Sequence, residues 1–325
     1  LNRVMLRKIF LILAFLIMLA GAIYAGVFLV QKIRLQDGVA GEYDKLPVTF
    51  AKIDEDVEFS FAILGDTQRF KAGDEGDFQT AVANLQKMDP DLVFAVGDLV
   101  SGCGDRNKCE KNLSNWRRIL GPLSAKIYPA QGNHDRTGRK KSDAVWEKVF
   151  DDLPTNGPAG FSKFVYSFDF GNVHFVVLDT DKPKEHNIDA AQLDWLEADL
   201  AKNTKENIFI FFHEPAYPVS SKVGESLDAE KDERDALWSI LEKYKVTAVF
   251  SGHEHIQSRR KAGTLYQFGF GNTDSYNHDA PEPGITEYFH VGKAFGLVEV
   301  DRNDIVIKTY SVEGELLDSF ALPKN

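Results

Sequence analysis

Short runs rich in Val, Ile and Phe alternate along the chain with longer segments whose apolar residues recur every three or four positions. The runs Phe59 to Leu64, Leu92 to Val96, Ile127 to Ala130, Val173 to Leu178, Ile208 to Phe212 and Val246 to Phe250 predict strands. Between them, Phe78 to Met88, Leu113 to Leu120, Asp143 to Phe150, Ala190 to Lys202 and Glu230 to Tyr244 predict amphipathic helices with charged outer faces. This βα alternation predicts a single α/β domain over residues 59–323. Three later runs, around Leu265 to Phe268, Phe295 to Val300 and Ile305 to Tyr310, predict an added antiparallel portion.

A different pattern precedes the body. From Ile9 to Val30 there is no charged residue, and 22 residues at about 1.5 Å each reach about 33 Å, enough to cross a hydrocarbon core. The expectation is a basic segment over residues 1–8, a transmembrane anchor or uncleaved signal over 9–30, and a linker over 31–58 with Gly38, Gly41 and Pro47. The alternative is a signal cleaved near Ala20-Gly21-Ala22 and a secreted body. The anchor is favoured because Ile23 to Val30 continues the apolar run. Arg3, Arg7 and Lys8 against Lys32 and Arg34 orient a single pass with the body outside the cytoplasm.

Charge sharpens the division. The 325 residues carry a formal charge of −11, while the five charged residues before Gln36 are all positive, leaving −16 for the rest. An acidic body argues against a surface built to neutralise nucleic-acid phosphates. The two cysteines, Cys103 and Cys109, lie in one polar stretch, and export makes a local disulfide the expectation. A zinc site on this pair lacks nearby His or further Cys. Two free loop thiols are the remaining reading.

Residues suited to metal binding follow five strand ends in turn, where α/β folds place their sites. They are Gly65-Asp66-Thr67-Gln68, Gly97-Asp98, Gly132-Asn133-His134-Asp135, His213, and Gly252-His253-Glu254-His255. One Gly-Asp junction means only a turn. The five together, in this order, resemble the calcineurin-like metallophosphoesterase superfamily, whose pattern runs Asp-x-His, Gly-Asp, Gly-Asn-His-Asp/Glu, a separate His, and Gly-His-x-His. The resemblance implies a metallophosphoesterase-type β-sandwich core flanked by helices.

It also implies a centre for two divalent ions, of which Asp66, Asp98 and His255 hold one, with Gln68 expected to join them, while Asp98, Asn133, His213 and His253 hold the other. Carboxylate, amide and imidazole donors suit Mn, Fe, Zn or Co better than thiolate-seeking metals. The implied reaction is hydrolysis of a small phosphate ester by hydroxide between the ions, with no phosphoenzyme. His134 would be the general acid, and Asp135 would orient its ring. Two departures matter. Gln68 stands where the pattern usually has His, so it either coordinates or hydrogen-bonds a metal-bound water. Ser101 stands where the purple acid phosphatase branch, otherwise similar around Leu178-Asp179-Thr180 and Trp195, places its Tyr ligand. The ferric ion and colour of that branch are therefore not expected.

Arg69, Arg136 and Arg139 sit near the motif loops and could grip phosphate, although a solvated loop cation is the plainer reading of each. His278 follows the last motif and is a lesser candidate for substrate contact. His174 reads as a strand histidine packed or hydrogen-bonded in place, and His186 and His290 as loop histidines. Asp179-Thr180-Asp181 superficially resembles the Asp-x-Asp of haloacid dehalogenase-like phosphatases, but Pro183 stands where that pattern wants Thr or Val. A membrane-anchored scaffold of the same fold is the non-enzymatic alternative, and the full set of ligand positions argues against it.

Overall fold

The computed structural model describes residues 59–69, 76–136, 140–301 and 304–323. The expected anchor at 9–30, the linker at 31–58 and Arg139 lie outside these residues. Among the described residues, no helix is long and apolar enough to cross a membrane.

Two mixed sheets carry the fold. In the first, β1 (Phe59–Leu64), β2 (Leu92–Val96) and β3 (Ile127–Ala130) run parallel. On the other side of β1, the antiparallel strands β11 (Ala294–Val300), β12 (Ile305–Ser311) and β13 (Leu316–Ala321) complete the order β13-β12-β11-β1-β2-β3. The second sheet is built from β4 (Tyr166–Phe170), β5 (Val173–Val177), β6 (Asn207–Phe211), β7 (Ala248–Ser251), β8 (Gln257–Ala262), β9 (Leu265–Phe270) and β10 (Tyr288–His290). Its order is β10-β8-β9-β7-β6-β5-β4, with β5, β6, β7 and β9 parallel.

The near-continuous apolar runs follow from burial on both faces, as parallel strands require. The inner faces meet through phenylalanines. Phe94 of β2 stacks on Phe211 of β6 with centroids 3.9 Å apart, and Phe61 of β1 meets Phe175 and Phe250 edge-on at 5.4 and 6.1 Å. Aromatic pairs of this kind contribute about 0.5–1.5 kcal/mol beyond area burial. They clamp the sheets together beneath the loops that matter.

Among the described residues, five α-helices flank the sheets: α1 (Asp77–Met88), α2 (Arg106–Ile119), α3 (Lys140–Val149), α4 (Ala190–Leu200) and α5 (Lys231–Lys243). α1 buries Phe78, Ala81, Val82 and Leu85, a single stripe at helical spacing. Its Phe78 stacks on Trp116 of α2, and the Trp116 indole donates to Thr67 Oγ1 at 2.8 Å, so packed helices grip the first motif loop. α2 begins well before the expected Leu113. Asp105 caps its N-terminus by accepting from the Lys108 amide, and Cys103 and Cys109 are joined as a disulfide across that first turn. The pair is therefore not two free thiols.

Candidate metal centre

The carboxyl ends of β1, β2, β3, β6 and β7 converge, and each delivers one of the expected motifs. Four of the expected ligands, Asp66, Asp98, His253 and His255, have positive φ of 50°, 53°, 70° and 49°. Such backbone costs about 1–3 kcal/mol per residue and persists only where surrounding contacts dictate it. Those contacts are close. A Cβ on Gly97, itself at φ +88°, would lie 2.5 Å from His213 Nδ1, and a Cβ on Gly132 would lie 2.4 Å from both Asp98 N and Asp98 Oδ1. Only glycine lets the loops from both sheets approach this far.

The hydrogen bonds fix which ring nitrogens face inward. His213 Nδ1 lies 2.8 Å from the Val96 carbonyl and His253 Nε2 lies 2.9 Å from the Glu225 carbonyl. A carbonyl only accepts, so those nitrogens carry the protons and the opposite nitrogens present lone pairs. His213 Nε2 consequently faces His253 Nδ1 at 3.2 Å, Asn133 Oδ1 at 3.1 Å and Asp98 Oδ1 at 3.5 Å. Four acceptors meet with no hydrogen among them. Asp66, Asp98 and His213 also place one ligand atom each within 4.8 Å of one another, all buried.

Beside this cluster lies a second one. His255 Nε2 is 3.2 Å from Asp66 Oδ1 and 3.1 Å from Gln68 Nε2, while Gln68 Nε2 donates to Asp98 Oδ2 at 3.3 Å. Gln68 Oε1 is buried without a partner among the described residues. Turning the amide over exchanges its two atoms and brings Oε1 to face the same groups.

The electrostatics suit a bound cation. Burial pushes Asp66 up to about 7, opposed chiefly by His213. Burial also raises Asp98, and the neighbouring Asp66 charge raises it further. Burial lowers His213 and, more strongly, His253, keeping both rings neutral and able to donate lone pairs. Carboxylates so buried are costly alone, and a divalent ion between them reverses that cost.

His134 opens a short 3-10 turn at the rim. Its amide donates to Asp98 Oδ1 at 2.8 Å, its ring Nε2 stands 3.9 Å from Asp98 Oδ2, and its side chain is 46% exposed. Asp135 takes a different task from the one expected of it. Its carboxylate accepts from the amides of Leu99 at 3.2 Å, Val100 at 3.0 Å and Gly132 at 3.1 Å, tying the β2 and β3 loops together rather than turning the His134 ring.

Of the arginines, Arg69 stacks over Tyr276 at 4.1 Å, and Arg136 bonds Asp143 and the Asp181 carbonyl. His278 stacks on His255 with centroids 4.1 Å apart, and Ser275 Oγ lies 3.2 Å from His255 Nδ1. Glu254, between the two motif histidines, turns away to accept from the Val219 and Ser220 amides at 2.7 Å each. His174 is bonded by Asp169 and Asp199, as a strand histidine should be. Sequence reasoning missed Ser275, which carries no motif, and Glu214, a buried carboxylate whose two oxygens lie 2.8 Å from His186 Nδ1. A buried acid directly after the β6 histidine was the available signal.

The chain belongs to the calcineurin-like phosphoesterase family, which it matches over residues 59–257. It is 27% identical over 208 residues to purple acid phosphatase 23 of Arabidopsis thaliana, covering 55% of this chain and 44% of that protein. It is 24% identical to human tartrate-resistant acid phosphatase type 5, covering 74% of this chain and 81% of that protein. The chain thus spans about half the length of the plant relatives it matches. Among solved structures, the fold is similar to the purple acid phosphatase PPD1 of yellow lupin, Lupinus luteus, with a TM-score of 0.68 at 17% identity over 83% of this chain and 54% of that one.

Proposed function

We propose that this protein is a metal-dependent phosphoric ester hydrolase with a centre for two divalent ions. The supporting observation is the meeting of four lone-pair donors that no proton separates: His213 Nε2, with His253 Nδ1, Asn133 Oδ1 and Asp98 Oδ1 all within 3.5 Å of it. Asp98, Asn133, His213 and His253 would hold one ion. Asp66, Gln68 through Oε1, His255 and the second oxygen of Asp98 would hold the other. Two ions so held supply Lewis acidity, lowering the pKa of water and drawing charge from the ester.

The chain's own residues do the rest. His134 stands at the open rim within reach of Asp98 and donates the proton that the departing alkoxide needs, a role worth about 10²–10⁴ in rate. Asp135 keeps the loops bearing Asp98 and His134 in register. Ser101 offers no phenolate, so the centre has no need of a ferric ion. Against a scaffold with no catalytic role stands the retention of His134 beside the full set of ligand positions. We further propose that residues 9–30 anchor the body to a membrane by a single pass and place it outside the cytoplasm, a reading that rests on the uncharged run and its flanking cations.

The test is release of phosphate from para-nitrophenyl phosphate and of nitrophenol from its bis ester by the purified full chain with Mn. Turnover on either supports the reading. A fully metal-loaded protein inert on both and on a wider panel of phosphate esters contradicts it.

A further inference from the structure

A cavity of about 370 Å³ opens beside Asn133, whose side chain belongs to the metal cluster. Its walls are Arg136, Asp181, Lys184, Glu185 and His186, with Pro183 the one apolar residue. That volume lies at the small end of the range of about 300–1,000 Å³ found for ligand pockets. Its chemistry is polar but not cationic. Arg136 is paired with Asp143 and Lys184 with Glu230, so neither cation is left free to draw in a second phosphate.

His186 is the wall residue with capacity to spare. Its Nδ1 lies 2.8 Å from both oxygens of Glu214, and carboxylate oxygens only accept, so Nδ1 carries the proton. Nε2 has no hydrogen-bond partner among the described residues, and the ring is 32% exposed. The ring is also held firmly. His186 has φ 63°, and the Asn187 amide donates to the Thr180 carbonyl at 3.0 Å, closing the loop that carries it. Glu214 is fully buried, its amide donating to Thr180 Oγ1 at 3.3 Å while that hydroxyl donates to Asp181 Oδ2 at 2.9 Å. A buried carboxylate thus fixes an imidazole at the mouth of a polar cavity next to the candidate ions.

We propose that this cavity receives the alcohol portion of the phosphate ester, a sugar or polyol, and that His186 hydrogen-bonds one of its hydroxyl groups, with Glu214 as the residue that positions the ring. The proposal rests on the hydrolase reading for its geometry. A mixed-charge, polar space favours such a leaving group over a flat apolar one, because each hydroxyl of the ligand finds both donors and acceptors there.

The experiment compares the Mn-loaded full chain with His186→Ala and His186→Asn on glucose 6-phosphate and para-nitrophenyl phosphate. Loss of one hydrogen bond lowers the ratio of kcat/KM for the sugar ester to that for the aryl ester by roughly fivefold to tenfold in His186→Ala, chiefly through KM. Asn tolerates the left-handed backbone and keeps a polar end, so His186→Asn retains more of the ratio. Binding is read independently by calorimetry with a non-hydrolysable glucose phosphonate against methylphosphonate. The wild type binds the sugar phosphonate more tightly, and His186→Ala removes the difference. If neither ester turns over but this difference appears and vanishes as described, the pocket stands and the hydrolase reading falls. If both esters turn over with the same ratio in wild type and His186→Ala, the pocket is wrong and the hydrolase reading stands.

Discussion

Gly132→Ala tests whether the approach of the loops sets the site. The added Cβ would lie 2.4 Å from Asp98 N and Oδ1 and 3.1 Å from Asp98 Cα, where ordinary contact begins at 3.4 Å. Two of those atoms are backbone, so the loops must part by about 1 Å; no side-chain rotation relieves the overlap. The His134 amide bond to Asp98 Oδ1, now 2.8 Å, would stretch beyond hydrogen-bonding range. Overpacking of this kind costs about 1–3 kcal/mol, and about 2 kcal/mol corresponds to a Tm lowered by roughly 4–8 °C in a domain of this size. Displacing a reacting group by about 1 Å costs about 10²-fold in rate. The assay is kcat/KM on para-nitrophenyl phosphate with metal content and scanning calorimetry on the same samples. Gly104→Ala is the control, for a Cβ there meets nothing within 4 Å. A Gly132→Ala protein with wild-type kcat/KM and full metal content refutes the reasoning.

His134→Ala should lower kcat by about 10²–10⁴ while metal analysis finds the content nearly unchanged; joint loss of metal and activity would move His134 into the ligand set. Asp135→Ala should cost about 3 kcal/mol in urea unfolding, because three buried amides lose their acceptor, whereas Asp135→Asn, which keeps one acceptor oxygen, should cost less. His174 is buried, which opposes its charge, but hydrogen bonds to Asp199 and Asp169 at 2.9 and 2.7 Å outweigh that and raise its pKa above 6.5. A raised histidine stabilises fully below its ordinary pKa and loses that contribution as pH rises through the raised value. The stability gap between wild type and His174→Gln should therefore be widest below pH 6.5 and shrink above it; a gap constant with pH contradicts the assignment.

Much of the fold was legible because its central strands are buried on both faces and read as plain apolar runs. Of the strands not expected, β4 alternates apolar and polar residues as a strand should; the others lack such a pattern or are short or exposed. β8, Gln-Ser-Arg-Arg-Lys-Ala, has no apolar pattern and is a strand because it pairs with β9 and because Arg259 bonds Asp318 of the other sheet. β13 is half exposed at a sheet edge, and β10 has three residues. The early start of α2 depends on the Asp105 cap and on a polar first turn that periodicity does not register.

At the site, the motif residues were legible because each follows a strand directly. The work of Asp135 was not, since its partners Leu99 and Val100 lie 36 and 35 positions away on another loop. Nor was that of His186, for its meaning comes from Glu214, 28 positions off. Contacts between loops from different strands are set by the register of the sheets, and a one-dimensional pattern does not carry that register.

The central claim is that Asp98 joins two ions held by this set of lone pairs. Equilibrium dialysis of the full chain against Mn, with electron paramagnetic resonance on the loaded protein, measures it most directly. The account predicts two ions per chain and a spectrum of two coupled ions, with coupling lost in Asp98→Ala. One ion per chain, or two ions still coupled in Asp98→Ala, would contradict it.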